Sequence, residues 1–305
     1  MSLTANQKAF AQYLSGLWGK PDSLTGRDDY LPVGCTTDAG VLHSYRIISH
    51  RPHWKPWQVR IASPVQHWWC RSLWEAFFHY SWPADPKPNS FQCIAARLRN
   101  SLERHDQAAA RQACLDIFRW GGVARHAGDK SRVWVEDQCR QKTLCQSIMN
   151  AVQLLQPGSA NGLAAFDGKR LLMNAAMTKV YAAADPDNII IYDGRVGAAL
   201  GLLVRHCLTS SGDSSVPADL AFRWGEGQGK ANRNPSLAGF KFPRLSSAQC
   251  QLWASQVVLA GGVLKQVMAC NPAIGSIAEL EKSLFMIGFN VDPDVPPLPL
   301  PRVSP

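Results

Sequence analysis

Ala184-Asp185-Pro186-Asp187-Asn188-Ile189-Ile190-Ile191-Tyr192-Asp193-Gly194-Arg195-Val196-Gly197 is the stretch on which the reading of this chain turns. Upstream of it, 171–184 reads as a helix, and the Asp185-Pro186-Asp187-Asn188 break stops that helix before the apolar run begins. The order is helix, break, apolar crossing, acid, helix. It delivers one carboxylate, Asp193, to the start of a helix, with Arg195 beside it. Aspartate is favoured as a helix N-cap whatever the function. A capping role and a chemical role are therefore both open for Asp193, and the two can coexist.

Helical signals continue on either side. A first helix is expected over 5–17, and further helices over 66–82, 90–104, 106–120, 131–155, 170–184, 194–208, 247–270 and 276–288. Phe91, Ile94, Ala95, Leu98 and Leu102 show the 3.6-residue period clearly. Gly121-Gly122 ends one helix and Gln156-Pro157-Gly158 another. Residues 19–64 are different: rich in Pro and Gly, they read as a loop or a small sheet around 41–48 and 59–61. The expected class is mainly α with a small irregular or β region near the N-terminus. One two-lobed domain over 1–290, divided into 1–164 and 165–290, would carry a Pro-rich tail at 291–305.

Composition narrows the partners. At 305 residues and 46% hydrophobic content the chain can bury a substantial core. A net charge of +9 favours a polyanionic partner such as DNA, although many soluble proteins are basic. No stretch reads as long and apolar enough to cross a membrane, and Met1-Ser2-Leu3-Thr4-Ala5-Asn6-Gln7-Lys8 lacks a signal peptide's apolar segment, so a cytoplasmic protein is expected. Nine scattered cysteines suit reduced, mostly buried thiols. The closest pair, Cys139 and Cys145, has nothing nearby to complete a four-cysteine cluster, and the histidines show no zinc-site spacing. No metal, iron–sulfur cluster or other cofactor is expected.

The layout resembles the end of the core of the helix-hairpin-helix DNA glycosylase superfamily, its 8-oxoguanine glycosylase branch above all. There the hairpin's second helix leads through an acid-plus-proline break and an apolar run to a catalytic aspartate, and Ala184-Asp185-Pro186 through Tyr192-Asp193 matches that pattern without a gap. The likeness covers 165–205; the rest of the chain is a compatible helical pattern. Two departures stand out. The hairpin Phe166-Asp167-Gly168-Lys169-Arg170-Leu171-Leu172 supplies a single glycine, and at the place of the lysine of bifunctional members this chain has Asn174. Lys179 lies five residues further on and would point to a different azimuth of the same helix. Without that lysine the resemblance implies a monofunctional enzyme that uses water.

The resemblance implies a two-lobed helix-hairpin-helix fold and a monomer acting on double-stranded DNA that carries a modified base. The catalytic candidates are Asp193, with Asn174 and Lys179 as further groups near the pocket and Tyr192 in support. The carboxylate would stabilise positive charge on the deoxyribose or orient the attacking water. Gly168, Lys169 and Arg170 would offer amides and charge to the phosphates, with Arg195 beside the site. The segment Phe222-Arg223-Trp224-Gly225-Glu226-Gly227-Gln228-Gly229-Lys230-Ala231-Asn232-Arg233-Asn234-Pro235 either borders the pocket or is a solvated loop; in the first case Arg223, Trp224, Lys230 and Arg233 contact DNA. Among the eleven tryptophans, those of the 67–78 segment have core spacing, and Trp54 and Trp57 are better placed for an exposed contact. Bacterial proteins of this kind include ones associated with defence against phages whose DNA carries modified bases. The implied reaction is excision of a hypermodified base such as glucosylated hydroxymethylcytosine, or of an oxidised or alkylated base in host DNA. A non-catalytic DNA-binding protein that kept the hairpin is the alternative of another class, and a nuclease would need a carboxylate cluster spaced for two metals, which the sequence lacks.

Overall fold

Side-chain caps start several of the helices. The computed structural model describes residues 2–19, 42–46, 60–62, 65–80, 82, 90–157, 159, 162–227 and 231–292. Among these the protein is mainly α, with ten helices and one three-stranded sheet. Helix α1 is Ala5–Gly16 and α2 is Leu73–Phe78. Helices α3 (Phe91–Glu103) and α4 (Gln107–Gly121) each begin at a side-chain cap: Ser90 Oγ accepts from Cys93 N at 3.3 Å, and Asp106 Oδ1 accepts from Ala109 N at 3.0 Å. Gly122, with φ +62°, closes α4 in a left-handed cap that glycine adopts without strain.

The chain forms two compact units. The first comprises Met1–Thr4, Trp82–Asp193 and Leu245–Lys265. In it α3 packs on α4 and on α7 (Met177–Ala184), while α5 (Lys130–Arg140) and α6 (Leu144–Leu154) pack on each other and on α4. The second comprises Ala5–Ser81, Gly194–Arg244 and Gln266–Pro305. Its α10 (Ile277–Ile287) packs on α2 and on α8 (Gly194–Ser210), which α1 also touches. Helix α9 (Cys250–Cys270) runs from the first unit's sequence into the second's.

Three helix expectations are corrected. The continuous helix over 66–82 is instead strand β3 (Val65–Cys70) followed by α2. β3 lies between β1 (His43–Arg46) and β2 (Arg60–Ala62), antiparallel to both, with Tyr45 opposite Trp68. Trp68 and Cys70 are both fully buried, a two-residue period that belongs to a strand. Ser72 then restarts the chain as a helix by accepting from Glu75 N at 3.0 Å. The long helix over 131–155 is split at Lys142, whose φ is +61°. Thr143 N donates to Gln138 O at 2.9 Å and Lys142 N to Cys139 O at 3.0 Å, a Schellman closure without the glycine that would announce it. The helix over 170–184 begins only at Met177; Leu171, Leu172 and Met173 are consecutively buried and cross the core without helical hydrogen bonding.

The absence of a membrane-length apolar stretch is also corrected. α9 has 21 residues and a mean hydropathy of 1.2, long and apolar enough by length and composition to cross a membrane. Trp253, Val257, Ala260, Val263 and Leu264 are buried inside the protein, while Leu252, Val258, Leu259 and Met268 are part-buried. The eight described cysteines are free thiols, four of them buried. The tail beyond residue 292, Trp54 and Trp57 lie outside the described residues.

Candidate active site

Asp193 is the last residue of a crossing held from several directions, all within the first unit. The break before it is a closed turn: Asp185 accepts from Gln156 Nε2 at 2.8 Å and from Asn188 Nδ2 at 3.0 Å. Ile189, Ile190, Ile191 and Tyr192 follow, all buried, and among the described residues they belong to no strand. Side chains hold the backbone of this crossing. Thr178 Oγ1 donates to Ile190 O at 3.2 Å and accepts from Tyr192 N at 3.0 Å, and Trp253 Nε1 donates to Tyr192 O at 2.8 Å. The Tyr192 hydroxyl reaches Gln256 Oε1 at 3.0 Å. Tyr192 is thus pinned at its amide, its carbonyl and its ring, and the direction in which Asp193 leaves the core is set. α8 begins at the next residue.

One group that meets the Asp193 carboxylate is Lys179. Its ammonium lies 3.8 Å from Asp193 Oδ2 and donates to Ala175 O at 3.0 Å. The side chains are 8% and 16% exposed, so the pair is largely desolvated while one edge of the carboxylate still meets solvent. The sequence placed Lys179 on a different azimuth from Asn174, reckoning both on one helix. That expectation is corrected, because Asn174 precedes the helix and only Lys179 lies on it. Asn174 instead organises the start of α7: its Oδ1 accepts from Ala176 N at 2.9 Å and from Met177 N at 3.0 Å, and it exchanges hydrogen bonds with Ser131 Oγ on α5. Lys179 and Asp193 are brought together, and Asn174 caps the helix that carries the lysine.

The hairpin turn is built differently from the expectation. Gly168 has φ +84°, as a turn glycine should. Its amide donates to Leu171 O at 3.0 Å, and Leu171 N donates to Ala165 O at 3.2 Å. The amides of Lys169 and Arg170 both donate to Asp167 Oδ1 at 2.8 Å. All four amides of 168–171 are therefore engaged within the turn, which corrects the view that they stand ready for phosphate. The Arg170 guanidinium also binds Asp167, at 2.7 Å, and together with the two amides it lowers the Asp167 carboxyl to about pKa 2. What the turn presents outward is the exposed side chains of Lys169 and Arg170, with Lys130 beside Gly168.

In the second unit, the Arg195 guanidinium lies 4.2 Å from the centre of the Phe285 ring and 5.0 Å from that of Phe289, a cation–π arrangement. The basic loop is tied to the 242–244 segment: Glu226 pairs with Arg244 at 2.6 Å, Arg223 Nη1 donates to Arg244 O at 3.2 Å, and Trp224 Nε1 donates to Phe242 O at 3.1 Å. Arg233 Nη1 reaches Glu226 O at 3.4 Å. The loop rests against the beginning of α8, where a β-carbon on Gly194 would come within 2.7 Å of the Gly225 carbonyl oxygen. Lys230 lies outside the described residues. Trp68 and Trp74 pack internally, stacked on Tyr45 and Phe78 with ring centres 5.0 and 4.8 Å apart. Among the described residues, no three His, Cys, Asp or Glu side chains converge as metal ligands do.

Sequence reasoning did not anticipate Thr178, Trp253 or Gln256. Each acts through a contact between elements distant in the chain or through a buried hydroxyl on a helix, and neither leaves a local motif. Compared with known proteins, the chain matches no family model, no curated protein and no solved structure.

Proposed function

We propose that this protein is a DNA N-glycosylase that takes a modified base out of the duplex and hydrolyses its bond to deoxyribose, leaving an abasic site. The observation that carries the reading is the Asp193 carboxylate at the end of a clamped crossing, partly desolvated and faced by the Lys179 ammonium at 3.8 Å. In this reaction the C1′–N bond breaks and its electron pair leaves with the base. The positive charge left on the sugar is stabilised by the fixed carboxylate. Water then bonds to C1′ and gives up a proton, which ends on the departed base. Lys179 acts as the ionic partner that keeps Asp193 charged and aimed, and the enzyme is monofunctional. The chain's net charge of +9 supplies the long-range attraction for the phosphate backbone.

The preferred substrate is phage DNA carrying hypermodified cytosine, with oxidised or alkylated bases in host DNA as the other arm of the test. Purified protein is incubated with glucosylated hydroxymethylcytosine DNA and with oligonucleotides bearing 8-oxoguanine or methylated bases, and aldehydic sites are counted. Release from the glucosylated DNA alone supports the phage reading, and release from the damaged oligonucleotides moves the substrate to repair. DNA binding with no release from any of them leaves a non-catalytic DNA-binding protein and ends the enzymatic reading. Borohydride reduction during turnover tests the monofunctional assignment, since a trapped protein–DNA adduct means that an amine has attacked the sugar.

A further inference from the structure

Gly121 and Gly122 close α4 side by side, and only one of them is required by the backbone. Gly122 has φ +62° and serves as the left-handed cap. Gly121 is in ordinary helical conformation, where alanine is the better residue. A β-carbon at Gly121 would lie 2.7 Å from Lys179 Cδ and 2.9 Å from Cε. These are the two carbons next to the ammonium that faces Asp193. The bare face of Gly121 is the slot through which the lysine stem runs.

We infer that Gly121 is a positioning residue: it leaves the space that lets Lys179 reach Asp193, and so sets the amine–carboxylate distance in the site. Filling the slot with one methyl group displaces the amine, because the far end of a flexible side chain yields more readily than two packed helices. The inference rests on the glycosylase reading for its consequence in catalysis, but the contact itself is testable without it.

The test is Gly121→Ala, examined alone and together with Lys179→Ala. Reductive methylation with formaldehyde and cyanoborohydride, followed by peptide mass spectrometry, reads the accessibility of the Lys179 amine. It should rise severalfold in Gly121→Ala while exposed Lys142 is unchanged, because an amine held in a buried pair is displaced toward solvent. Base release should fall about tenfold in Gly121→Ala, yet the same substitution should have no further effect in the Lys179→Ala background, the signature of action through one partner. An unchanged Lys179 reactivity, or a loss of base release of equal size with and without the lysine, overturns the inference. If wild-type protein releases no base while Lys179 reactivity still rises, the glycosylase reading falls and the positioning role stands. If Gly121→Ala does not fold, recovery of a cooperative thermal transition in Gly121→Ala/Lys179→Ala supports the contact, and failure to recover refutes it.

Discussion

Two carboxylate–cation pairs stand 26 residues apart at either end of the same segment, and they behave differently although their ingredients are alike. Asp167 and Arg170 are 2.7 Å apart with side chains 36% and 69% exposed; Asp193 and Lys179 are 3.8 Å apart at 16% and 8%. The shorter pair is the weaker one. Water screens Asp167–Arg170, and both groups would be well solvated if they separated. Asp193 and Lys179 have that alternative to a lesser degree, so separating them costs more. The exposed pair stiffens a turn, whereas the largely buried pair holds charge in a place where charge is costly.

Asp193→Asn is the substitution that breaks the contrast hardest. It keeps the shape, removes the charge, and should lower base release by about a thousandfold or more, as loss of a fixed transition-state charge does. Asp167→Asn should leave the rate within about threefold, since no charge at the reacting centre is touched. A quantitative abasic-site assay on both variants reads the difference. Comparable losses in the two would move the chemistry away from Asp193. Next in size is Lys179→Met, which leaves a partly buried carboxylate without its counter-charge. It should destabilise the protein by about 3 kcal/mol in chemical denaturation, the lower end of what breaking a buried pair costs. Arg170→Met should leave the unfolding midpoint where it is.

The contrast also explains what could be read from the sequence. Asp193 was legible because a break, an apolar run and a helix start are all local, and Gly121-Gly122 announced the end of α4 for the same reason. Lys142 gave no such notice: a lysine in the left-handed conformation looks like any other lysine, so α5 and α6 read as one helix. Val65 to Cys70 read as helix because Trp69, Leu73, Trp74, Phe77 and Phe78 have helical spacing when strand and helix are run together. The Lys179–Asp193 approach was hidden behind the assumption that α7 begins near residue 170; its real start depends on the Asn174 side chain and its link to Ser131. The hairpin was misjudged in the opposite way. Asp167 was in view, but the engagement of the neighbouring amides by its carboxylate is a matter of rotamer and not of sequence.

Burial governs charge in the second unit as well, where the relevant groups are cations in waiting. His43, at the sheet edge, is buried between Tyr45, Trp68 and the Asn290 carbonyl, which its Nε2 meets at 2.8 Å. Loss of solvation, with His206 and Arg205 nearby, lowers it to about 4, and burial beside Arg205 lowers His206 to about 4 too. An unfolded histidine titrates near 6.5, so between these values the unfolded chain binds more protons than the folded one. Stability is complete above pH 6.5 and is lost as the pH falls toward 4, by about 3 kcal/mol for His43 alone. Urea unfolding at pH 7.5, 6.0 and 4.5 should show the decline, and His43→Gln should make it shallower by about 1.4 kcal/mol per pH unit at most. A slope unaffected by the substitution would mean that His43 does not carry the effect.

The smallest effect belongs to the exposed turn, and it is the one that sharpens the comparison most cleanly. Asp167 is lowered from the ordinary carboxylate value to about 2, first by the Arg170 guanidinium and then by the amides of Lys169 and Arg170. Its folded value lies below its unfolded one, so whatever it contributes is complete above the unfolded value and disappears as the pH falls toward 2. That window lies beneath the one in which the histidines act, and the two are separable in one titration. Salt separates them further. Raising ionic strength shortens the Debye length to about 3 Å at 1 M, which screens an exposed pair and leaves the enclosed Lys179–Asp193 pair nearly untouched. In 1 M NaCl the carboxyl carbon of Asp167, followed by NMR, should titrate closer to its unfolded value, while the stability difference between wild type and Lys179→Met should persist. If salt erased that difference, the Lys179–Asp193 pair would be screened as fully as the exposed pair, and the contrast between the two would fail.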